Sequence, residues 1–391
     1  MQAPRDWELD PEVFPGGAEV VVWGRRALGP GTGLRGALAN AIARERALRG
    51  LRHRAPRSLR PVAVHRLPPP QLRAGSVKSA IRTTLRAGAL VELAGDERPS
   101  RVLDVAARAA GATQPVVTFQ PGSGGGALVR LAGEGGTTLI LRVGRAGAPP
   151  DPAHAADGLE RLAGAGLPQA PRLVARGRVA GASWSAESAL PGRRPRRVGP
   201  DLLQEVGALG LRLPRLDGPP AASAADLLVA AKHLPERSTA LAGVSRAFCD
   251  DVAGLPAVMR HGDLWAGNLL VERGRLVGVV DWDAWRPDGY PGADLLQLFA
   301  TDDRIHARRG LGEEWLVRPW RAPAFLEMTR DYWRSLEIAP GGRPSPEVLE
   351  RAGIAWWASE VAGSLTRLPH RARDERWVSR NVDAVLSRLA P

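Results

Sequence analysis

One cysteine, Cys249, and two lysines, Lys78 and Lys232, are all that this chain of 391 residues has of either type. A single cysteine closes no intramolecular disulfide, which points to a reducing compartment and away from a disulfide-stapled fold. Within the run Ala-Phe-Cys it reads as a small buried apolar residue and not as a reactive thiol. Lysine is so rare among the 54 basic residues that arginine carries nearly all the positive charge. Any role that lysine fills in other proteins therefore falls to arginine here. Tyrosine, with 2 residues, and phenylalanine, with 5, are also scarce, so the aromatic content is mostly the 12 tryptophans. No apolar run approaches the ~20 residues that a membrane-spanning helix needs, and none is expected. The opening MQAPRDWELDPEVF holds four acids and lacks the apolar stretch of a secretory signal, so a cytoplasmic location is expected.

What remains is the composition of a globular protein, 44% apolar and 24% charged, long enough for two or three folding units. The net charge of +13 is unevenly placed, with twelve Arg or Lys between residues 41 and 90 against one acid, Glu45. Such a stretch suits nucleic acid, an anionic membrane or a phosphorylated partner. It has no interleaved aromatics and no nucleic-acid motif, so a solvated basic face is the simpler reading and nucleic acid is not the expected partner.

Residues 1–112 read as a small α/β unit of unknown role, with strands at Val20–Trp23 and Leu90–Leu93, a helix near 34–50 and a loop at 67–74. Gly31, Gly33 and Gly36 match the dinucleotide pattern G-x-G-x-x-G. The preceding strand ends too early, near Gly24, and no acid lies about twenty residues on, so no cofactor is assigned there. Residues 113–190 read as strands at 116–119, 127–131 and 137–143, a helix near 152–164, and strands at 171–179 and 183–189. Between the first two strands lies a loop with Gly122, Gly124, Gly125 and Gly126, whose backbone can approach phosphates closely and bind them through N–H groups. Residues 191–391 read as mainly helical, broken by one hairpin, with an exposed connection at 214–220.

That hairpin carries the strongest chemical signal. His261-Gly262-Asp263 leads to Asn268, two strands turn at Arg273-Gly274, and the second strand ends at Asp281-Trp282-Asp283. Folding the hairpin brings Asn268 and Asp281 together at its open end, beside the Asp263 loop. An amide oxygen with one or two carboxylates is the hard oxygen set that Mg²⁺ takes. Asp263 remains as a separate carboxylate able to accept a proton from a hydroxyl. Metal clamps on phosphates and a base aligned with the attacking oxygen are the parts that phosphoryl transfer needs. Either aspartate alone would read as a turn cap or a strand end. The whole constellation reads as a site.

The spacing His261-Gly262-Asp263, four residues, Asn268, then Asp281 resembles the aminoglycoside phosphotransferase and choline kinase superfamily. The string HGDLWAGNLL is most similar to its fructosamine-kinase-like members. The resemblance implies an α+β, two-lobed, protein-kinase-like fold, with a five-stranded nucleotide-binding small lobe over 113–190 and a mainly helical lobe over 191–391. It implies ATP and Mg²⁺ as cofactors, Asp263 as catalytic base, Asn268 and Asp281 as metal ligands, and Asp283 as a further acid at the metal. His261 would brace the loop, and Asp294 would tie it to the following helix. Arg142 falls where the family places a phosphate-contacting lysine, with Glu160 as its expected ion-pair partner. Glu187 to Leu190 falls where a hinge would bind adenine. Trp265, Trp282, Trp285, Trp356 and Trp357 are candidates for either core or an acceptor pocket, where Glu360 and Asp288 would orient polar groups. The expected activity is transfer of the ATP γ-phosphate to a hydroxyl or amine of a small polar metabolite such as a sugar, amino sugar or aminoglycoside. The alternatives are a catalytically weakened pseudokinase, on account of Arg142, and an anionic-surface binder through residues 41–90.

Overall fold

The computed structural model of this chain describes residues 20–23, 61–66, 89–93, 109, 118–121, 127–132, 138–145, 151–179 and 182–389. The expected helix near 34–50, the 67–74 loop, the G-x-G-x-x-G segment, Gly122, Gly124, Gly125 and Gly126 lie outside the described residues. Two units divide the chain, Met1–Asp157 with Arg172–Ala189, and Gly158–Pro171 with Leu190–Pro391.

In the first unit, β1 (Val20–Trp23), β2 (Pro61–Arg66) and β3 (Ala89–Leu93) form an antiparallel sheet of order β1-β3-β2. Strands β1, at one edge, and β3, in the centre, stand where apolar runs announced them; the other edge strand β2, PVAVHR, was not expected. A second antiparallel sheet runs β4 (Thr118–Pro121), β5 (Ala127–Ala132), β6 (Thr138–Arg145), β7 (Leu173–Val179) and β8 (Ala182–Ser188) in the order β4-β5-β6-β8-β7. Helix α1 (Pro152–Gly164) follows the third of these strands, so the expected small-lobe element order is borne out. Asp151 starts α1, its Oδ1 accepting the Ala153 N–H at 2.9 Å, with Pro152 at the first helical position, where no donor is lost. Strand β8 is buried on both faces from Ser183 to Glu187, which is possible because Ser183, Ser185 and Ala186 are small.

The second unit begins with α2 (Pro200–Gly210), β9 (Arg215–Leu216), α3 (Ala222–His233) and α4 (Ser238–Val252). Strands β10 (Ala257–Arg260), β11 (Leu269–Glu272), β12 (Arg275–Val279) and β13 (Arg286–Gly289) follow. Helices α5 (Ala293–Ala307), α6 (Leu311–Val317), α7 (Pro323–Met328), α8 (Arg330–Ser335) and α9 (Pro346–Arg367) come next, and short helical turns continue to Leu389. Strands β11 and β12 form the expected hairpin. Arg273 and Gly274 at its turn have φ of 50° and 82°, the paired positive values that match the twist of a two-residue hairpin. A small sheet of order β13-β10-β9 was not expected.

Helix α9 is the core of this unit. It is buried over most of its central turns and packs on α3, α5 and α6, its apolar residues from Leu349 to Leu365 forming the buried surface. Trp315, Trp320, Trp333, Trp356, Trp357 and Phe325 are fully buried in this unit. Of the five tryptophans weighed for an acceptor pocket, Trp282, Trp285, Trp356 and Trp357 are core, and only Trp265 is exposed. Cys249 is exposed, not buried as expected. The buried positions of α4 are Leu241, Ser245, Phe248 and Val252, and residue 249 falls off that stripe.

Candidate active site

Strand β10 is buried at every position, and the chain that leaves it at His261 is held from several sides. Asp294, in the first turn of α5, accepts two backbone N–H groups, from His261 at 2.5 Å and Gly262 at 3.1 Å. Gly262 has φ +78°, and a β-carbon there would meet Ala284 O at 2.1 Å, so only glycine fits. The ring of His261, 1% exposed, lies between Val280 O, 2.9 Å from Nε2, and the Asp263 N–H, 3.2 Å from Nδ1. A carbonyl only accepts and an N–H only donates, so the proton sits on Nε2 and the ring braces the loop.

Those bonds set the candidate groups. Asn268, 3% exposed, donates through Nδ2 to Asp263 O at 2.8 Å, with Asp263 Oδ2 at 3.4 Å. This fixes the amide orientation and leaves Oδ1 as its remaining acceptor. The Val280 N–H donates to Asn268 O at 2.9 Å while the Val280 carbonyl receives His261. Residue 280 is thus clamped to both ends of the Asp263 loop, and Asp281 follows it directly. Asp281 has φ 71° and ψ 56°, a left-handed conformation that aspartate enters more readily than most side chains and that clusters at functional sites. Asp283 lies in the next turn, Trp282–Ala284, and is partly exposed.

The Asp263 carboxyl is held above its ordinary value. Burial is the leading cause; Arg367 and His261 oppose it, and the charges of Glu360 and Asp281 add to it. Glu360 is tied to the same loop from the other side. Gln297 Oε1 accepts the Leu264 N–H at 2.9 Å, and Gln297 Nε2 donates to Glu360 Oε1 at 2.7 Å. The approach of Glu360 was expected; the Gln297 bridge and Arg367 were not. Asp288 lies instead with Arg286, at 3.5 Å, in a cluster with Asp226 and Arg260. Arg260, 4% exposed, donates to Asp226 at 3.1 Å and to Ser359 Oγ at 2.6 Å.

In the first unit Arg142 donates through Nε and Nη2 to Glu187 Oε1, at 3.3 and 3.1 Å. The pairing follows from register. Ile140 stands opposite Glu187, so Arg142, two residues along β6, is its diagonal neighbour on the same face. Glu187 was expected in a hinge; it is a β8 residue, 4% exposed, whose side chain serves Arg142. Glu160, the expected partner, is an exposed residue of α1. Leu190 lies in the second unit, its side chain against Gly278 of β12.

Among the described residues no three His, Cys, Asp or Glu side chains gather into a metal cluster. The side chains brought together are two carboxylates and an oriented amide around a loop fixed by its backbone, in a chain of mixed helix and sheet. The chain belongs to the phosphotransferase enzyme family, whose sequence model matches residues 120–328, more than half of its length.

No curated protein matches the chain. Among solved structures it is similar to a thermostable mutant aminoglycoside phosphotransferase in complex with ADP and hygromycin B, at 15% identity and TM-score 0.48, over 75% of this chain and 100% of that one. A protein of Thermobifida fusca assigned as a fructosamine-3-kinase shares 20% identity at TM-score 0.47, over 74% and 100%. A macrolide 2'-phosphotransferase of Brachybacterium faecium shares 18% at TM-score 0.45, over 72% and 98%. No helix among the described residues is long and apolar enough to cross a membrane.

Proposed function

We propose that this phosphotransferase uses ATP and Mg²⁺ to phosphorylate a hydroxyl of a small polar metabolite, with Asp263 as the base. The observation that supports this best is the clamp on Val280, which ties the Asp263 loop, Asn268 and the start of Asp281 into one hydrogen-bonded assembly. The residues suit the ion. Asn268 spends its amide nitrogen on Asp263 O and presents oxygen, Asp281 adds a carboxylate, and hard oxygen donors are what Mg²⁺ takes. Asn268 and Asp281 would hold it, with Asp283 as a further acid. When bound, it neutralises charge on the phosphates.

The remaining work belongs to the chain. Asp263 accepts the proton of the acceptor hydroxyl, and His261 and Asn268 hold its backbone so that the carboxylate points one way. Arg142, fixed by Glu187, supplies the positive charge that the family gives to lysine. Its fork holds a carboxylate with two donors, which keeps the guanidinium oriented without a mobile ammonium. Gly122, Gly124, Gly125 and Gly126 would line the phosphates, and the backbone near Glu187 to Leu190 would meet adenine.

The test is Asp263→Asn in the full chain, with ADP release measured against a panel of hydroxylated metabolites. Turnover is expected to fall by about 10²–10⁴, while Mg²⁺-dependent nucleotide binding measured by calorimetry stays. A variant that keeps near-full turnover removes Asp263 from the mechanism.

A further inference from the structure

We propose that the acceptor carries an anionic group, a carboxylate or a phosphate, recognised by Arg304, Arg367 and Arg371. The inference rests on the kinase reading above, because it places the reacting hydroxyl at Asp263.

Two packed helices present one polar stripe. On α9, Glu360, Gly363, Ser364 and Arg367 recur at intervals of three and four and so share a face. On α5, Gln297, Thr301 and Arg304 do the same, and the two helices pack together. One end of the stripe is tied to the catalytic loop through Gln297 and Glu360. Beyond that end stand three guanidinium groups.

Arg304 Nη2 is 3.9 Å from Glu360 Oε2, and its Nε is buried without a hydrogen-bond partner. Arg367 folds back along its own helix. Its terminal nitrogens come within 3.2 and 3.3 Å of where a β-carbon on Gly363 would sit, so the glycine makes room for it. Arg367 is exposed and forms no ion pair among the described residues, yet its charge is the first of those that favour the ionised Asp263. Arg371 Nη1 donates to Ser364 Oγ at 3.0 Å, and its guanidinium lies 5.3 Å from the centre of the Trp377 ring. Burial, then the like charges of Arg367 and Arg304, lower its affinity for its proton.

Glu360, which already accepts from Gln297, is the carboxylate nearest Arg304; Asp374 and Glu360 offset the like charges at Arg371 only in part, and Arg367 acts on Asp263 without an ion pair among the described residues. Other arginines of this unit gather carboxylates instead of one another: Arg237 meets Glu236, Glu375 and Asp383, and Arg309 meets Asp303 and Glu314. Like charges held together beside a base cost free energy, and an anion lying among them removes that cost. The planar fork of guanidinium suits carboxylate and phosphate oxygens. A polycationic acceptor would meet repulsion at this end of the stripe.

The test is calorimetric binding to the full chain, saturated with Mg²⁺ and a non-hydrolysable ATP analogue, using probes matched in shape but not in charge. D-gluconate is set against D-glucitol, D-glucose 6-phosphate against D-glucose, and tobramycin supplies the polycation. At least one anionic probe is expected to bind tenfold or more tightly than its neutral match, and tobramycin weakest. Arg367→Ala and Arg371→Ala are each expected to weaken that probe by about tenfold or more, as loss of a charge-assisted hydrogen bond does. Arg246→Ala, an exposed arginine of α4, leaves it unchanged. Preference for a neutral or cationic probe, no binding of either anion, or anion binding indifferent to both variants overturns the proposal. If carboxylate and phosphate differ, the tighter one names the source of the charge. Asp263→Asn separates the two readings, since it keeps anion binding but loses turnover. Anion binding by a wild-type chain that transfers no phosphate would sink the kinase reading alone.

Discussion

Replacing Asp294 by alanine removes the carboxylate that accepts from both His261 and Gly262. A hydrogen bond to a charged group contributes about 1.5–3 kcal/mol, so two give roughly 3–6 kcal/mol before relaxation. Water entering the vacated space recovers part of this, which brings the expected loss to about 3–5 kcal/mol. Asparagine keeps one acceptor oxygen and turns an NH₂ toward the other N–H, so Asp294→Asn should cost about half as much. Nine of the twelve tryptophans lie in the second unit, so tryptophan fluorescence reports mainly on the unit that contains the loop. Urea unfolding followed by that signal should show a lower midpoint in the order wild type, Asn, Ala. On heating, a loss of about 4 kcal/mol corresponds to roughly 8–16 °C for a unit of this size. The exposed Asp250→Ala serves as control. An alanine variant within about 1 kcal/mol of wild type, or an asparagine variant as damaged as the alanine one, would show that Asp294 does not hold the loop.

Two further outcomes follow from buried charge. Asp226→Ala leaves Arg260, whose Nε already lacks a hydrogen-bond partner, with Ser359 as its remaining hydrogen-bond partner, and should cost about 3–5 kcal/mol in the same unfolding assay. Adding Arg260→Met should recover much of that loss; a double variant no better than the single one would place the cost elsewhere. The base must be ionised to accept a proton, and the Asp263 carboxyl is raised from 3.8, so kcat/KM should fall as pH drops through a value above 3.8. Arg367→Ala removes the first of the charges that oppose the shift and should move this acid limb to higher pH, while Glu360→Gln should move it lower. A limb at the ordinary aspartate position, or one that neither variant moves, would refute the assignment.

Local sequence determined what was legible. The Arg273-Gly274 turn and each strand of the small lobe are legible from their own local pattern, and Asp263, Asn268 and Asp281 lie within some twenty residues of each other. Contacts between distant segments were not legible. Glu187 reaches Arg142 only because β6 and β8 pair with Ile140 opposite Glu187, a register that neither strand announces. The β13-β10-β9 sheet is built from strands of two to four residues whose partners lie far along the chain. Cys249 is a different case, because the stripe of Leu241, Ser245, Phe248 and Val252 was in the sequence and sets it outside. For the tryptophans, aromatic rings suit core and sugar binding alike, and only burial separated Trp265 from the other four.

On the proposed reading, the groups that fix the Asp263 loop and those that would meet an acceptor lie on different elements of the second unit. Asp263, Asn268 and Asp281 are set by bonds to backbone, from Asp294 and Gln297 of α5 and from within the hairpin region, none of which uses a side chain of α9. Glu360 and Arg367, whose charges act on Asp263, lie on α9, and Arg371 lies just beyond it. Substitutions on that face of α9 can therefore alter the charge offered to an acceptor without loosening the loop. Gln297 is the exception, because one end of its amide holds Leu264 and the other holds Glu360. A change at Glu360 frees the Gln297 nitrogen, which can then draw the amide away from Leu264. Acceptor preference and loop position are thus coupled through one side chain, and Arg367 is the place to change the first while leaving the second alone.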